Sequence, residues 1–116
     1  MKKIYVCSPL RGDIRKNIDA AERYAKYVFE CGAIPIVPHF FANVLDDSIP
    51  SERKLGMDAG LELLKDCDAM FVFGDVISTG MKNEIELCNK MGIPVIEIAD
   101  ITEINDMNNK MEGLNL

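Results

Sequence analysis

The chain has 116 residues, 48% of them hydrophobic and 28% charged, with 13 Lys and Arg against 19 Asp and Glu for a formal net charge of −6. That length fits one domain, with residues enough for a core of roughly three to five strands and a few helices and no need of disulfides or a structural metal. The acidic balance argues against a nucleic acid polymer as partner, because phosphate-backbone affinity comes from clustered Lys and Arg that release counterions. A small anionic ligand stays compatible with it, since a few local groups outweigh the net sign.

In chain order, four short apolar runs recur, at Ile4 to Cys7, Ile34 to Val37, Ala69 to Phe73 and Ile93 to Ile98. Each reads as a strand buried on both faces. The first helix spans Ile14 to Cys31, with Ile14, Ile18, Ala21, Ala25, Val28 and Phe29 as one stripe and Gly32 as its stop. The second begins near Ser51, with Leu55, Leu61 and Leu64 directed inward, and stops near Asp66. The third runs from about Gly80 to Met91, and Gly92 closes it. This βαβαβαβ order implies a parallel sheet with right-handed crossovers and helices on both faces. The segment 101–116 is weakly amphipathic and reads as a last helix or an arm across a neighbouring subunit.

Cys7, Cys31, Cys67 and Cys88 lie far apart with no CxxC pair, and only one histidine is available to join them. They form neither a zinc ligand set nor a disulfide framework, and free thiols fit a reducing cytoplasm. The apolar stretch after Lys2 and Lys3 is too short for a signal-peptide core, and no run approaches the length of a membrane span. The expectation is a soluble cytoplasmic protein.

Ligands of open parallel sheets sit beyond the carboxyl ends of the strands, here Ser8 to Asp13, Pro38 to Pro50 and Gly74 to Gly80. The first segment carries a hydroxyl, Ser8, a guanidinium, Arg11, and Gly12 just before a helix, which is chemistry suited to a phosphate. It has neither the GxGxxG of dinucleotide binders nor a P-loop, and Asp13 stands where a Cys-x5-Arg loop would need arginine. The alternative is a helix cap at Asp13 beside a solvated Arg11. The second segment holds the single histidine, His39, followed by Phe40 and Phe41, a group able to stack on or bound a planar ligand. A lone histidine such as His39 is more often structural than catalytic, and Asp46, Asp47, Ser48 and Pro50 read as an exposed loop or lid.

In the third segment Ser78, Thr79 and Gly80 open a helix whose free N–H groups favour an anion, and Glu84 follows about one turn in. Glu84 is either poised as nucleophile or base, or an ordinary first-turn acid, with Ser78 or Thr79 an ordinary cap. Asp58, and less directly Glu62, offers a second carboxylate from the preceding helix. Two carboxylates facing one sugar are the usual equipment for breaking a glycosidic bond.

Together, Tyr5-Val6-Cys7-Ser8-Pro9-Leu10-Arg11-Gly12, Pro38-His39, Asp68 ahead of a strand, Ser78-x-Gly80-Met81-x-x-Glu84 and Gly92-Ile93-Pro94-Val95 resemble the nucleoside 2-deoxyribosyltransferase-like superfamily. The resemblance covers Lys3 to Ile98. It is strongest to a branch of small bacterial and phage proteins of unknown function related to 2′-deoxynucleoside 5′-phosphate N-hydrolases. It implies an α/β, flavodoxin-like three-layer sandwich with a parallel sheet of order 2-1-3-4-5, one domain over 1–116, and a homo-oligomer with a shared active site.

By the same resemblance, the glutamate matching Glu84 attacks the anomeric carbon. Residues matching Ser8, Arg11 and Ser78 hold a 5′-phosphate with the Gly80 backbone, and serine at 78 points to a nucleotide rather than a free nucleoside. Asp58 matches the assisting aspartate under transferase spacing; under hydrolase spacing that position falls on Gly60. Pro9 departs from the hydrolase loop, where the serine and arginine are one residue closer. The implied site is therefore Glu84 and Asp58 for chemistry, with Ser8, Arg11, Gly12, His39, Ser78, Gly80 and Met81 for the substrate. No metal or cofactor is expected. The ligand expected is a small nucleotide or nucleoside, with an N-glycosidase or deoxyribosyltransferase-like activity; the alternative is a nucleotide-binding module without turnover. A flavin carrier is disfavoured, because the loop after the first strand is not Ser/Thr-rich and the chain has no tryptophan.

Overall fold

Two central strands, β1 (Lys3–Cys7) and β3 (Ala69–Phe73), are buried from Ile4 to Cys7 and from Ala69 to Phe73, so each must find apolar cover on both sides. The computed structural model, which describes residues 1–99 and Ile101, supplies that cover with helices from both faces. Side chains alternate along a strand, so Ile4, Val6, Phe71 and Phe73 point one way and Tyr5, Cys7, Met70 and Val72 the other. Tyr27 and Val28 of helix α1 (Ile14–Glu30) pack on the first set. Leu64 of α2 (Pro50–Lys65), with Met81 and Cys88 of α3 (Thr79–Met91), packs on the second. The result is three layers.

The sheet is parallel throughout, in the order β2-β1-β3-β4, where β2 is Ile34–Ile36 and β4 is Val95–Ile98. The expected fifth strand is absent among the described residues, and the sheet has four. All but Ile101 of the segment 101–116 lies outside the described residues. As edge strands, β2 and β4 are only half-buried, so the reading of four doubly buried runs holds for β1 and β3 alone. At the amino ends of β1 and β3, the Asp68 carboxylate accepts the Lys3 N–H at 2.8 Å. The Asp68 N–H in turn donates to the Lys3 carbonyl at 2.8 Å. This clasp lies at the opposite edge from the loops that carry the polar motifs.

Helix ends follow local chemistry. Asp13 caps α1 by accepting the Lys16 N–H at 3.2 Å, and Gly92 ends α3 in the left-handed conformation at φ 73°. Two apolar positions face outward against expectation. Leu55 and Leu64 are nine positions apart, which at about 100° per residue sets them on opposite sides of α2, and Leu55 is 59% exposed. Phe29 is also exposed, while Tyr27 is the buried aromatic of that turn and packs edge-on against Phe73. Among the described residues no helix is long and apolar enough to cross a membrane, no group of three or more His, Cys, Asp or Glu is arranged to hold a metal ion, and the four cysteines are free.

Two glycines of α2 set how closely it approaches its neighbours. A Cβ at Gly60 would lie 3.3 Å from Pro38 Cβ and 3.5 Å from the Tyr5 hydroxyl, both on rigid groups; at Gly56 it would meet only the flexible Leu45 Cδ1 at 3.4 Å. Gly56→Ala is expected to stabilise the protein by roughly 0.5–1 kcal/mol through helix propensity. Gly60→Ala loses that gain to the displaced Pro38 ring. Urea denaturation of both variants checks the contrast, and equal stabilisation would show that α2 is free to shift.

Candidate functional site

The loops after β1 and β3 leave the sheet toward opposite faces, which opens a crevice at the carboxyl ends of these neighbouring strands. A cleft of about 740 Å³ lies there. Its wall takes Tyr5, Ser8 and Arg11 from β1 and the loop that follows, and His39 and Phe41 from the 3-10 helix Pro38–Asn43. The α2 side adds Met57, Gly60 and Leu61, and the start of α3 adds Ser78, Gly80, Met81 and Glu84. Of the nine residues singled out by sequence, seven meet in this one cleft.

The other two stand elsewhere. Asp58 is exposed on α2 and bonds Lys54 Nζ at 2.6 Å, outside the cleft lining; it and Glu84 do not share the pocket within one chain. Gly60, two residues on, does line the cleft, beside Tyr5. Gly12 is exposed and outside the lining, and its φ of 97° serves the turn into α1. The loop it belongs to is held by Asn17 of α1, whose amide donates to the carbonyls of Leu10 at 3.0 Å and Arg11 at 3.1 Å.

Glu84 lines the cleft from α3. Met81, Glu84, Ile85 and Cys88 recur at helical spacing, so the carboxylate occupies the inward stripe of α3 where an apolar residue belongs. Tyr5 donates its phenolic proton to Glu84 Oε2, and the Cys7 thiol lies 4.0 Å from Oε1. Both partners come from the same face of β1. Burial raises the Glu84 pKa to about 7, and the Tyr5 hydrogen bond works against that rise. Burial first, and the nearby carboxylate second, push the Tyr5 hydroxyl and the Cys7 thiol well above their ordinary values, so both stay protonated.

Around this carboxylate stand groups suited to an anion. Ser78 caps α3 by accepting the Met81 N–H at 3.3 Å, which leaves its own proton to donate. The ordinary cap role and a place in the cleft are thus one role. Gly80 has no heavy atom within 4 Å of where a Cβ would stand, so nothing in the fold requires glycine there; its bare backbone keeps the α3 N-terminus open to the cleft. Met81 is buried beneath. Arg11 reaches Asp47 Oδ2 at 3.7 Å. Ser8 and His39 are both 5% exposed, and the imidazole Nε2 lies 2.8 Å from the Ser8 carbonyl and 3.0 Å from its hydroxyl.

The sequence reading overlooked Tyr5, Asp47 and Glu52. Tyr5 carries a signal, a hydroxyl in a strand otherwise apolar from Ile4 to Cys7. Asp47, read as part of an exposed loop, has a side chain only 16% exposed, and both acids line the cleft.

A family model described as a domain of unknown function, DUF7768, matches residues 2–98. The chain belongs to that family. No curated protein matches the sequence. Among solved structures the fold is similar to that of a 2-deoxyribosyltransferase from the psychrotolerant bacterium Bacillus psychrosaccharolyticus. The two chains are 20% identical, with a TM-score of 0.69 over 92% of this chain and 90% of that one. At that identity the likeness shows a shared α/β fold, here with a four-stranded parallel sheet.

The raised Glu84 pKa has a stability consequence. A carboxyl that holds its proton up to about pH 7 when folded, but ionises near 4.5 in an unfolded chain, costs nothing below pH 4.5 and destabilises progressively as pH rises to 7. Glu84→Gln is therefore expected to match the wild type near pH 4.5 and to exceed it above pH 7 by up to ~3 kcal/mol. Urea denaturation of both proteins at pH 5 and pH 8 measures this. A constant difference would mean that Glu84 titrates normally.

Proposed function

We propose that the cleft binds a 2-deoxynucleoside 5′-monophosphate, or the nucleoside, and breaks its N-glycosidic bond with Glu84 as nucleophile. The observation that carries the reading is a half-buried carboxylate on the inner face of α3, bonded by Tyr5, in a cleft that also presents Arg11, Ser8, Ser78 and the α3 N-terminus. The shared fold with a 2-deoxyribosyltransferase supports the same chemistry.

In this mechanism the Tyr5 bond fixes Oε2, and Oε1, which faces only the long 4.0 Å contact with the Cys7 thiol, attacks the anomeric carbon. The bond from that carbon to the base nitrogen breaks, its electron pair goes to the base, and the base takes up a proton. The glycosyl ester on Glu84 is then opened by water, or by a second base, which frees the carboxylate. Asp58 does not line the cleft and Asp47 is paired with Arg11, so the proton for the departing base comes from solvent. Phe41, Met57 and Leu61 give the base an apolar wall. Arg11, Ser78 and the Gly80 backbone hold the phosphate.

One observation favours the second reading, a nucleotide-binding module without turnover. Gly60 stands beside Tyr5 at the position where hydrolase spacing would put an aspartate.

Incubation with deoxynucleoside monophosphates and nucleosides, followed by chromatography of released base, separates the two. Base release is expected to fall by about 10³-fold or more in Glu84→Ala. Tyr5→Phe should cost roughly 10- to 100-fold, the loss of one hydrogen bond to a charge. Binding without release would establish the module, and full activity in Glu84→Ala would sink the mechanism. The attacking carboxylate must be ionised, so kcat/KM should rise with pH and level off above about 7. In Tyr5→Phe that limb should move to higher pH, because the lost hydrogen bond favours the ion.

We infer as well that a second copy of the chain covers the exposed apolar residues beside the cleft: Met57, 52% exposed, lines it, and Val44 and Leu55, 82% and 59% exposed, adjoin the lining residues Leu45 and Gly56 in sequence. Light scattering of Leu55→Lys, an outward position, should then show a smaller particle than the wild type. A wild type already monomeric at working concentration would exclude the shared site.

A further inference from the structure

His39 and Ser8 meet in a way that fixes the direction of a proton. His39 Nε2 lies 2.8 Å from the Ser8 carbonyl oxygen, which only accepts, so Nε2 carries the hydrogen. The same N–H stands 3.0 Å from Ser8 Oγ, which therefore meets a donor. Its own proton must turn elsewhere, and Ser8 lines the cleft. At the other side of the ring Nδ1 is buried with no hydrogen-bond partner among the described residues. A proton there would be left without an acceptor, which keeps the imidazole neutral. Burial also drives the His39 pKa down, outweighing the bond that Nε2 donates to the Ser8 carbonyl, which favours the charged ring.

We propose that His39 is a positioning residue that holds the Ser8 hydroxyl as an obligatory hydrogen-bond donor into the cleft, so that this corner selects an ionised oxyanion over a hydroxyl. A neutral hydroxyl bonds Ser8 only weakly, whereas a phosphate oxygen receives a charge-assisted bond from a donor whose proton cannot turn toward His39. The inference deepens the glycosidase reading, since it assigns the phosphate preference to a pair of buried residues as well as to the exposed Arg11. The structure also explains the chain's single histidine: the group must offer an N–H at one end of a flat ring and carry no charge while buried.

The test uses the full chain. With one histidine, the nitrogen spectrum of the imidazole contains one ring, and it should show the neutral form with hydrogen on Nε2 from pH 6 to 8. A hydrogen on Nδ1, or a charged ring, would overturn the proposal. Calorimetry with 2-deoxyribose 5-phosphate and with 2-deoxyribose then measures the preference. The phosphorylated sugar should bind more tightly, and Ser8→Ala and His39→Leu should each shrink that preference roughly 10-fold, as expected for one hydrogen bond to a charge.

His39→Gln, whose side-chain amide sets an N–H where Nε2 stands, should retain most of it. An unchanged preference in a folded His39→Leu, or the same loss in Gln as in Leu, would reduce His39 to a packing residue. If His39→Leu does not fold, the ring spectrum of the wild type and the Gln variant still decide. Failure of base release with these binding results intact would remove the glycosidase reading and leave this one. A wild type that binds neither sugar would count against the cleft assignment itself, and an Nδ1-protonated ring in an active enzyme would remove only the role of His39.

Discussion

A carboxylate on the inner stripe of a helix must have a partner or lose its charge, and the hydrogen bond from Tyr5 to Glu84 is how this fold answers that demand. The bond ties the central strand to α3 at the edge of the sheet where ligands bind. It works because of strand parity: Tyr5 and Cys7 point to the α2 and α3 layer, while Ile4 and Val6 point to α1. A one-residue slip of β1 would aim the phenol into the α1 layer and leave Glu84 unpartnered. The register of β1 with β3, Tyr5 opposite Met70 and Cys7 opposite Val72, is thus also a constraint on the site.

The environment of Glu84 is balanced between two opposed effects. Burial favours the protonated form, and the phenol favours the ion, with a pKa of about 7 as the outcome. A fully exposed carboxylate is a weak nucleophile because water solvates it, and a deeply buried one without a donor stays protonated. The α3 backbone adds to the positioning, since the helix that carries Glu84 also presents its N-terminus, capped by Ser78, to the same cleft.

Much of this was legible in the sequence because the signals are local. Apolar runs, glycine stops and capping residues mark where β1, β3 and three helices lie, and the motif residues fall after the strands that the topology brings together. The errors have a common origin in contacts between elements. Leu55 and Leu64 are both apolar, but the half-turn between them puts only Leu64 in the core. Asp58 follows an alignment spacing, but the rotation of α2 turns it to solvent and Lys54, while Gly60 faces the cleft. Tyr5 went unread as a functional group because an apolar strand tolerates tyrosine for its ring alone. The inward phase of Glu84 was readable all along from Met81, Ile85 and Cys88.

The net charge of −6 also takes on a definite meaning at the cleft. Its lining sets Arg11 and Arg53 against Glu84, Asp47 and Glu52, and Arg11 is already engaged by Asp47. Cations alone do not make this cleft attractive to a dianion. For the nucleotide proposed above, neutral donors would carry much of the recognition: the Ser8 and Ser78 hydroxyls and the backbone at the start of α3, which add attraction without a mobile counter-charge. Under the proposed function the same balance also constrains the ligand's orientation. An ionised Glu84 repels a phosphate, so the proposed substrate would keep the two negative groups apart across its sugar, with the anomeric carbon at the carboxylate and the 5′ end at the serines. A cleft built this way sets the orientation of its ligand as much as its affinity.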